Sequence, residues 1–464
     1  MAGPVSRGLR VVGAVVAGVV ASAVALVLTG VVADQIDRRL NPVHPLENPP
    51  EVGEADRARH AGLFPVDLHA DTMLWDRDLL ARADHGHVDL PRLIDGNVAL
   101  QVFAVVTKTP NKTAAPDDAR LIEGVAAREC LSHDSLNTTM LLQIAQRRPL
   151  GTWFDLETRA LHQAGRLKEF VAASEARRAE DPEAPVLLLI EDADDLAELV
   201  RRRADGEAVV GALLALEGAH WIGGEGAPVE AGVERLVEAG FRMVAPTHRF
   251  DNALASSGEG CDQLAGLSED GRTFLRAAAG RGLILDLAHA SDSGIAEAAA
   301  TVDGPIVVSH TGLRRTCEPA DGCVIERNMR DAEVQAVART GGLVAVGYWP
   351  EAVGRGMDAV VAGFASARRA LSDPDFVAEM RGARPDYDPL DHVALGSDYD
   401  GSVAVPFHVG DLALLTAALA DAGFDDRAIA RIAGANACRV FATRLPGGGP
   451  ERAAEICGPL LEAR

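Results

Sequence analysis

Several short stretches of this chain end in residues that could bind a cation or move a proton. The first is Val66-Asp67-Leu68-His69-Ala70-Asp71, an apolar run closing on a His and an Asp two residues apart. On a strand, positions i and i+2 point to the same side. His69 and Asp71 would therefore aim an imidazole and a carboxylate into one space. A hard or borderline divalent metal can use such a pair, and so can a plain hydrogen-bonded strand end. What favours the metal is recurrence. Ala212–Leu216 ends in Glu217, a fourth run in Thr247-His248, Leu283–Ala288 in His289, Ile306–Ser309 in His310, and Val393–Ser397 in Asp398. Packing alone does not explain so many titratable strand ends, because buried charges and imidazoles are costly unless paired or metal-bound.

Three imidazoles with two or three carboxylates exceed what one four-coordinate zinc needs. The surplus points to two metals sharing a bridging carboxylate. Glu217 is the natural bridge. Only three Lys occur (108, 112 and 168), and only Lys108 lies just past an expected strand, so a carbamylated Lys has almost no candidate.

Positioning these groups requires a rigid frame. Apolar β-type runs begin near Val66, Val98, Val209, Phe241, Leu283, Pro305, Gly342 and His392, and Ala/Leu/Arg/Glu-rich helical stretches alternate with them. Eight βα units predict a closed α/β barrel of the (β/α)8 TIM type, with its active site at the C-terminal strand ends. The 464 residues and 48% apolar content suit one large barrel with insertions. Pro185–Ile190 is an extra apolar run outside the count of eight. Residues 111–205 read as a largely helical insertion, for example over Glu157–Ala173, capping one face.

A formal net charge of −23 tells against nucleic acid as a partner. The six Cys, at 130, 261, 317, 323, 438 and 457, include no Cys-x-x-Cys, which disfavours a structural zinc site. Cys317 and Cys323 flank a short loop and suit a disulfide outside the cell. Cys130–Cys261 with Cys438–Cys457 is one of three ways to pair the other four, and nothing in the sequence selects among them. Val11–Ala33 is 23 residues without a charge, long enough to span a bilayer. It reads as a retained signal-anchor or as a cleaved signal peptide, whose apolar region would be shorter. Arg7 and Arg10 favour an inside N-terminus, and Arg38 and Arg39 weaken that preference. The expected organisation is a cytoplasmic N-terminus at 1–10, the anchor at 11–33 and a Pro-rich charged linker at 34–60. The barrel domain follows at 61–445 and a tail at 446–464. The domain would sit outside the cytoplasm on a single-pass anchor, or be secreted if the segment is cleaved.

The chain resembles the membrane dipeptidases, also called renal dipeptidase-like enzymes or peptidase family M19, from about Phe64 to Phe441. The segments that carry the resemblance are Asp67–Asp71, Glu217-Gly218-Ala219-His220, Thr247-His248, Asp286–Ser291, Ser309-His310-Thr311, Arg327-Asn328 and Gly396–Gly401. The resemblance implies a metal-dependent (β/α)8 hydrolase with two zinc ions. One would be held by His69, Asp71 and Glu217, the other by Glu217, His289 and His310. It further implies that His248 contacts the substrate and the developing oxyanion, that Arg327 holds the free carboxylate of a dipeptide, and that Asp398 moves the proton. Departures from the mammalian pattern include His-Ala-Asp-Thr at residues 69–72 and Val106–Pro110 after the second run. These bear on side-chain preference rather than on the metal site. A C-terminal apolar tail for a lipid anchor is absent, so attachment would come from the N-terminus.

The expected chemistry is dipeptide hydrolysis by a hydroxide that bridges two zinc ions. His248 would stabilise the oxyanion, Asp398 would act as base and then acid, and Arg327 would clamp a carboxylate with its forked donors. Other readings are a related amidohydrolase acting on a lactam, lactone or N-acyl amino acid, and a non-catalytic binding protein on the same fold. Arg327 favours substrates with a carboxylate. His85, His87, His133, His220 and His408 read as surface residues or as residues behind the ligands. Asp400 reads as a loop cap or a partner for Asp398, Glu326 as an ion-pair partner for Arg327, and Tyr348 and Trp349 as pocket lining or barrel rim. A homodimer is compatible with the sequence.

Overall fold

The computed structural model describes residues 30–122 and 129–462. Eight parallel strands form a closed ring: β1 Val66–Ala70, β2 Leu100–Val106, β3 Val209–Glu217, β4 Met243–Val244, β5 Ile284–Asp286, β6 Ile306–Thr311, β7 Leu343–Val346 and β8 Val393–Leu395. Each pairs with its sequence neighbour, β2 pairs with β3 across the long insertion, and β8 closes on β1. The eight expected runs are these eight strands. Their residues are buried throughout, as expected where helices cover a sheet's outer face and side chains fill its inner one. The extra run forms an edge strand, Val186–Leu189, that pairs with the start of β3 outside the ring.

The barrel interior carries a polar knot below the site. Asp67 accepts hydrogen bonds from the Ser397 amide (2.8 Å), the Ser397 hydroxyl (2.6 Å) and the Gln101 amide (2.7 Å). Asp67 and His69 share the inward face of β1, so this knot stands beneath the first imidazole. The β1–β2 and β6–β7 pairings shift register near the C-terminal ends of β1 and β6. Such irregularities re-aim side chains, and here the strands involved carry His69 and His310.

The insertion contains helices Thr138–Ala145, Gly151–Phe154, Leu156–Glu180 and Ala193–Ala204, plus the hairpin Lys112–Ala114/Glu129–Leu131. Asp155 starts the longest helix by accepting from the Thr158 amide. That helix lies against the upper ends of β1 and β2. Arg166 donates to the Met73 and Trp75 carbonyls (both 2.8 Å), and Gln163 donates to the Val106 carbonyl (2.8 Å). All six Cys are paired, as 130–261, 317–323 and 438–457. The last pair ties residues 446–462 to helix Asn436–Arg444, so this tail is packed, with Ala453 and Ile456 buried.

Residues 34–60, whose composition suggests a linker, are docked on the barrel. Helix Val31–Leu40 presents Asp37 to Arg77 (2.9 Å), and Arg77 also meets Asp400 (2.7 Å). Asn41 accepts from the Ser402 amide (2.9 Å), and the His44 amide donates to the Val405 carbonyl (2.8 Å). Of the charged residues that suggested solvent here, Asp37 is matched to a buried partner, while Glu47, Glu51 and Glu54 remain exposed. Among the described residues no helix is long and apolar enough to cross a membrane. Residues 11–29 of the expected anchor lie outside the described residues.

The Arg77 side chain, 7% exposed, lies between two buried carboxylates. Removing one partner of a buried ion pair leaves uncompensated charge and costs about 3–5 kcal/mol. Arg77→Ala should therefore lower the chemical-denaturation midpoint clearly. An unchanged midpoint would show that the Asp37–Arg77–Asp400 triad does not hold the N-terminal helix to the barrel.

Candidate metal centre

The C-terminal strand ends converge as the barrel geometry requires. His69 lies in β1 with Asp71 just beyond it, Glu217 closes β3, and His310 lies in β6. His248, His289 and Asp398 follow β4, β5 and β8. His289 and Asp398 adopt positive φ, 65° and 58°, unusual for residues with a Cβ. Room for the Asp398 carboxylate comes from Gly401, where an added Cβ would fall 2.0 Å from Asp398 Oδ1.

Glu217 is the hub. Its Oε1 lies 2.9 Å from His289 Nε2, 3.4 Å from His310 Nε2 and 3.6 Å from His69 Nε2. Its Oε2 lies 3.4 Å from His248 Nε2. On the far side, His69 Nε2 is 3.5 Å from Asp71 Oδ1 and 4.0 Å from Asp398 Oδ1. All seven residues are buried. Three overlapping triads have ligand atoms within 4.8 Å of one another: His69/Glu217/His310, Glu217/His248/His289 and His69/Asp71/Asp398. His69 Nε2 and Asp71 Oδ1 have no hydrogen-bond partner. Buried polar atoms are nearly always satisfied, and a divalent cation among these donors would satisfy both. The donor set fits a metal.

Electrostatics agrees. Burial pushes the Glu217 carboxyl well above its usual range, although the charge on His69 pulls it down. Burial likewise holds His248, His289 and His310 well below the usual imidazole range, and so neutral, the form that ligates metal. At His69 burial opposes the charged form, but Glu217 and Asp71 outweigh it and set the ring at about 10. That is the pull of an electron-rich site on the nearest cation. Burial raises Asp398 to about 8, against the lowering influence of His69.

A further set of groups, which the sequence reading did not assign, orients the imidazoles. His289 Nδ1 lies 3.1 Å from Glu259, which in turn accepts from Arg249 (3.0 and 2.7 Å). Ser309 Oγ lies 2.9 Å from His310 Nδ1 and donates to Asp286 (2.6 Å); the Ser309 and Ala288 amides hold the other Asp286 oxygen at 3.0 Å. His248 Nδ1 faces the Lys108 carbonyl at 3.3 Å. Each arrangement puts the ring proton on Nδ1 and leaves the Nε2 lone pair facing the centre. Asp286 and Ser309 lie within recognisable motifs. Glu259 lies in a loop with no periodicity, and nothing in its neighbourhood signals its role. The Cys130–Cys261 disulfide and the bond from the Leu131 amide to the Glu259 carbonyl (3.1 Å) hold that loop.

Arg327 is buried beside the centre. It donates to the His310 carbonyl (2.9 Å), approaches His289 Nε2 (3.4 Å) and lies 5.6 Å from the Trp349 ring centroid. Among the described residues it forms no ion pair, with Glu326 or any other carboxylate. A cavity of about 180 Å³ is lined by Asp71, Glu217, His248, Arg327, Trp349 and Asp398, among others. Trp349 therefore faces the cavity, whereas Tyr348 packs on Tyr399 and Phe407. His220 stacks on Phe250 behind His248, and His87 and Asp400 bond to each other in a loop below the rim. His85, His133 and His408 pair with nearby Asp residues, away from the ligand triads.

Partners that orient metal-binding His typically contribute 10–100-fold in metal affinity or activity. Glu259→Gln should weaken metal binding roughly 10- to 100-fold in competition with a chromophoric chelator. Parental affinity in this variant would show that Glu259 does not orient His289.

The model of the membrane dipeptidase family (peptidase family M19) matches residues 59–444. Among solved structures, the M19 metallopeptidase dipeptidase AC is 20% identical with a TM-score of 0.58, covering 83% of this chain and 100% of its own. A metallopeptidase from Rhodobacter sphaeroides, liganded with a phosphinate mimic of the dipeptide L-Ala-D-Ala, is 19% identical with a TM-score of 0.56, covering 82% and 99%. An amidohydrolase from Pseudomonas aeruginosa is 15% identical with a TM-score of 0.54, covering 84% and 99%. At these identities the structural likeness speaks for the fold, and the family rests on the match across residues 59–444.

Proposed function

We propose a zinc-dependent dipeptidase activity from one premise: the chain belongs to the membrane dipeptidase family, peptidase family M19. It is a metallo-dipeptidase by family, and its donor set suits metal-dependent hydrolysis of dipeptides. The observation that carries the finer reading is the position of Glu217, whose Oε1 lies within 3.6 Å of the Nε2 atoms of His69, His289 and His310 together.

One zinc would be held by His69, Asp71 and Glu217, and a second by Glu217, His289 and His310. Bound there, the ions would supply Lewis acidity, polarising a peptide carbonyl and lowering the pKa of water so that hydroxide is available near neutral pH. The chain's own residues do the rest. Arg327, buried at the cavity wall without a carboxylate partner, receives the substrate's free carboxylate on its forked donors. That contact fixes the distance from the C-terminus to the scissile carbonyl and so limits substrate length. His248 reaches the carbonyl oxygen with Nε2. Donating from that atom requires the proton to leave Nδ1, giving up the long bond to the Lys108 carbonyl. Asp398 takes the proton of the attacking water and delivers it to the leaving amine. Burial sets its carboxyl at about 8, and nearby cations would draw it down toward neutral pH, where such a group exchanges protons efficiently.

The proposal extends to location. The uncharged Val11–Ala33 run supports an exported domain on an N-terminal anchor, and three disulfides accord with an oxidising compartment.

Purified protein should carry about two zinc equivalents, as a two-metal site implies. Chelation should abolish dipeptide hydrolysis and zinc should restore it. Full activity of metal-free protein would refute the reading.

Arg327→Ala should cut kcat/KM for a dipeptide roughly 10- to 100-fold, the worth of a charge-assisted hydrogen bond. The matching dipeptide amide should be poor already and should lose little more. An equal loss for both would make Arg327 structural and remove the clamp.

A further inference from the structure

Six of the eight large apolar side chains exposed among the described residues fall on one run of touching elements. They are Val31, Leu136, Leu141, Leu150, Phe154 and Leu161, with Phe154 74% and Leu150 65% exposed. Helix Val31–Leu40 packs on helix Thr138–Ala145, that helix on Gly151–Phe154, and that turn on the start of Leu156–Glu180. Ile36 and Leu142 join the first two by packing with the buried Trp75 cluster. Trp153, half-buried, sits with its ring 6.3 Å from that of Phe154. Single exposed apolar residues are ordinary, but six on or beside neighbouring elements point to a contact surface.

The chain itself indicates what covers this group. The uncharged run from Val11 continues into Val31, the first residue of the docked helix. Gly30, just before it, lies against the turn after helix Thr138–Ala145: an added Cβ would fall 3.1 Å from Arg147 Nη2. Whatever medium surrounds the uncharged run therefore begins beside Val31. The triad Asp37–Arg77–Asp400 fixes the helix, so the domain has little freedom to swing away. Leu150, Phe154 and Trp153 together form a composition suited to the lipid headgroup boundary, where apolar and aromatic side chains are buried.

We propose that this patch of the insertion, centred on Leu150 and Phe154, is the face on which the catalytic domain rests against the bilayer. The inference rests on the anchor reading and adds to it a fixed orientation. The insertion also covers the upper ends of β1 and β2, so the barrel's catalytic end is held beside the membrane rather than projected away from it.

Residues 1–29 contain no Trp, so indole emission reports the folded domain alone. The full chain would be reconstituted in phosphatidylcholine–phosphatidylglycerol vesicles carrying brominated acyl chains. Bromine should quench a component of the emission that Trp153→Phe removes. The double variant Leu150→Asp/Phe154→Asp should still float with the vesicles, should hydrolyse a dipeptide within about twofold of the parent, as expected of surface changes away from the centre, and should lose the quenching. Full chain that floats with Trp153 insensitive to bromine would overturn the orientation and leave the anchor standing. Full chain that stays with the aqueous phase would overturn the anchor and the orientation together. If Trp153 is unquenched and the double variant converts a dimer to a monomer in light scattering, the patch belongs to a second copy and the bilayer assignment falls.

Discussion

Glu217 holds its carboxylate 2.9–3.6 Å from four imidazole Nε2 atoms, all on buried residues. Burying such groups costs several kcal/mol per ion unless opposite charge compensates. With His248, His289 and His310 driven neutral by burial, the compensation within the chain falls mainly on His69 and Arg327. Two more carboxylates, Asp71 and Asp398, add to the imbalance. A bound cation would relieve this imbalance, and much of the surrounding structure keeps the candidate ligands from relaxing away. The Ser309–Asp286 pair fixes His310, Glu259 fixes His289, and the Asp67 knot supports the floor of β1.

The same constraint accounts for the backbone. His289 and Asp398 adopt left-handed conformations that cost energy in residues with a Cβ. Each follows a strand that ends three residues earlier. The turn redirects the side chain toward the barrel axis, where a continuing strand would have passed it. Neighbouring structure over-determines both: Glu259 holds the His289 ring, and Gly401 clears the volume that the Asp398 carboxylate occupies.

Beyond the centre, three devices stiffen the catalytic end. The Cys130–Cys261 disulfide locks the insertion's hairpin to the Glu259 loop. The long insertion helix is tied by Arg166 and Gln163 to the ends of β1 and β2. The N-terminal helix is pinned through Asp37, Arg77 and Asp400. Each joins segments far apart in sequence across the rim that frames the cavity, so rigidity is concentrated where ligand spacing matters most.

The sequence by itself determined the barrel and most of the site. Strands covered on both faces must be apolar along their length, so all eight are visible as runs, and the candidate ligands follow because a parallel barrel delivers strand ends to one place. Even the two-residue strand Met243–Val244 is marked by its flanking apolar residues and by Thr247-His248. Tertiary structure alone decided which groups orient those ligands. Glu259 reaches His289 from a loop thirty residues away, and no local period encodes that meeting. Only the fold could place residues 34–60, because composition reports average solvation and not whether Asp37 finds Arg77. Strand-end chemistry is written in local pattern, whereas charge pairing and ring orientation depend on long-range contacts that exist only once the chain has closed on itself.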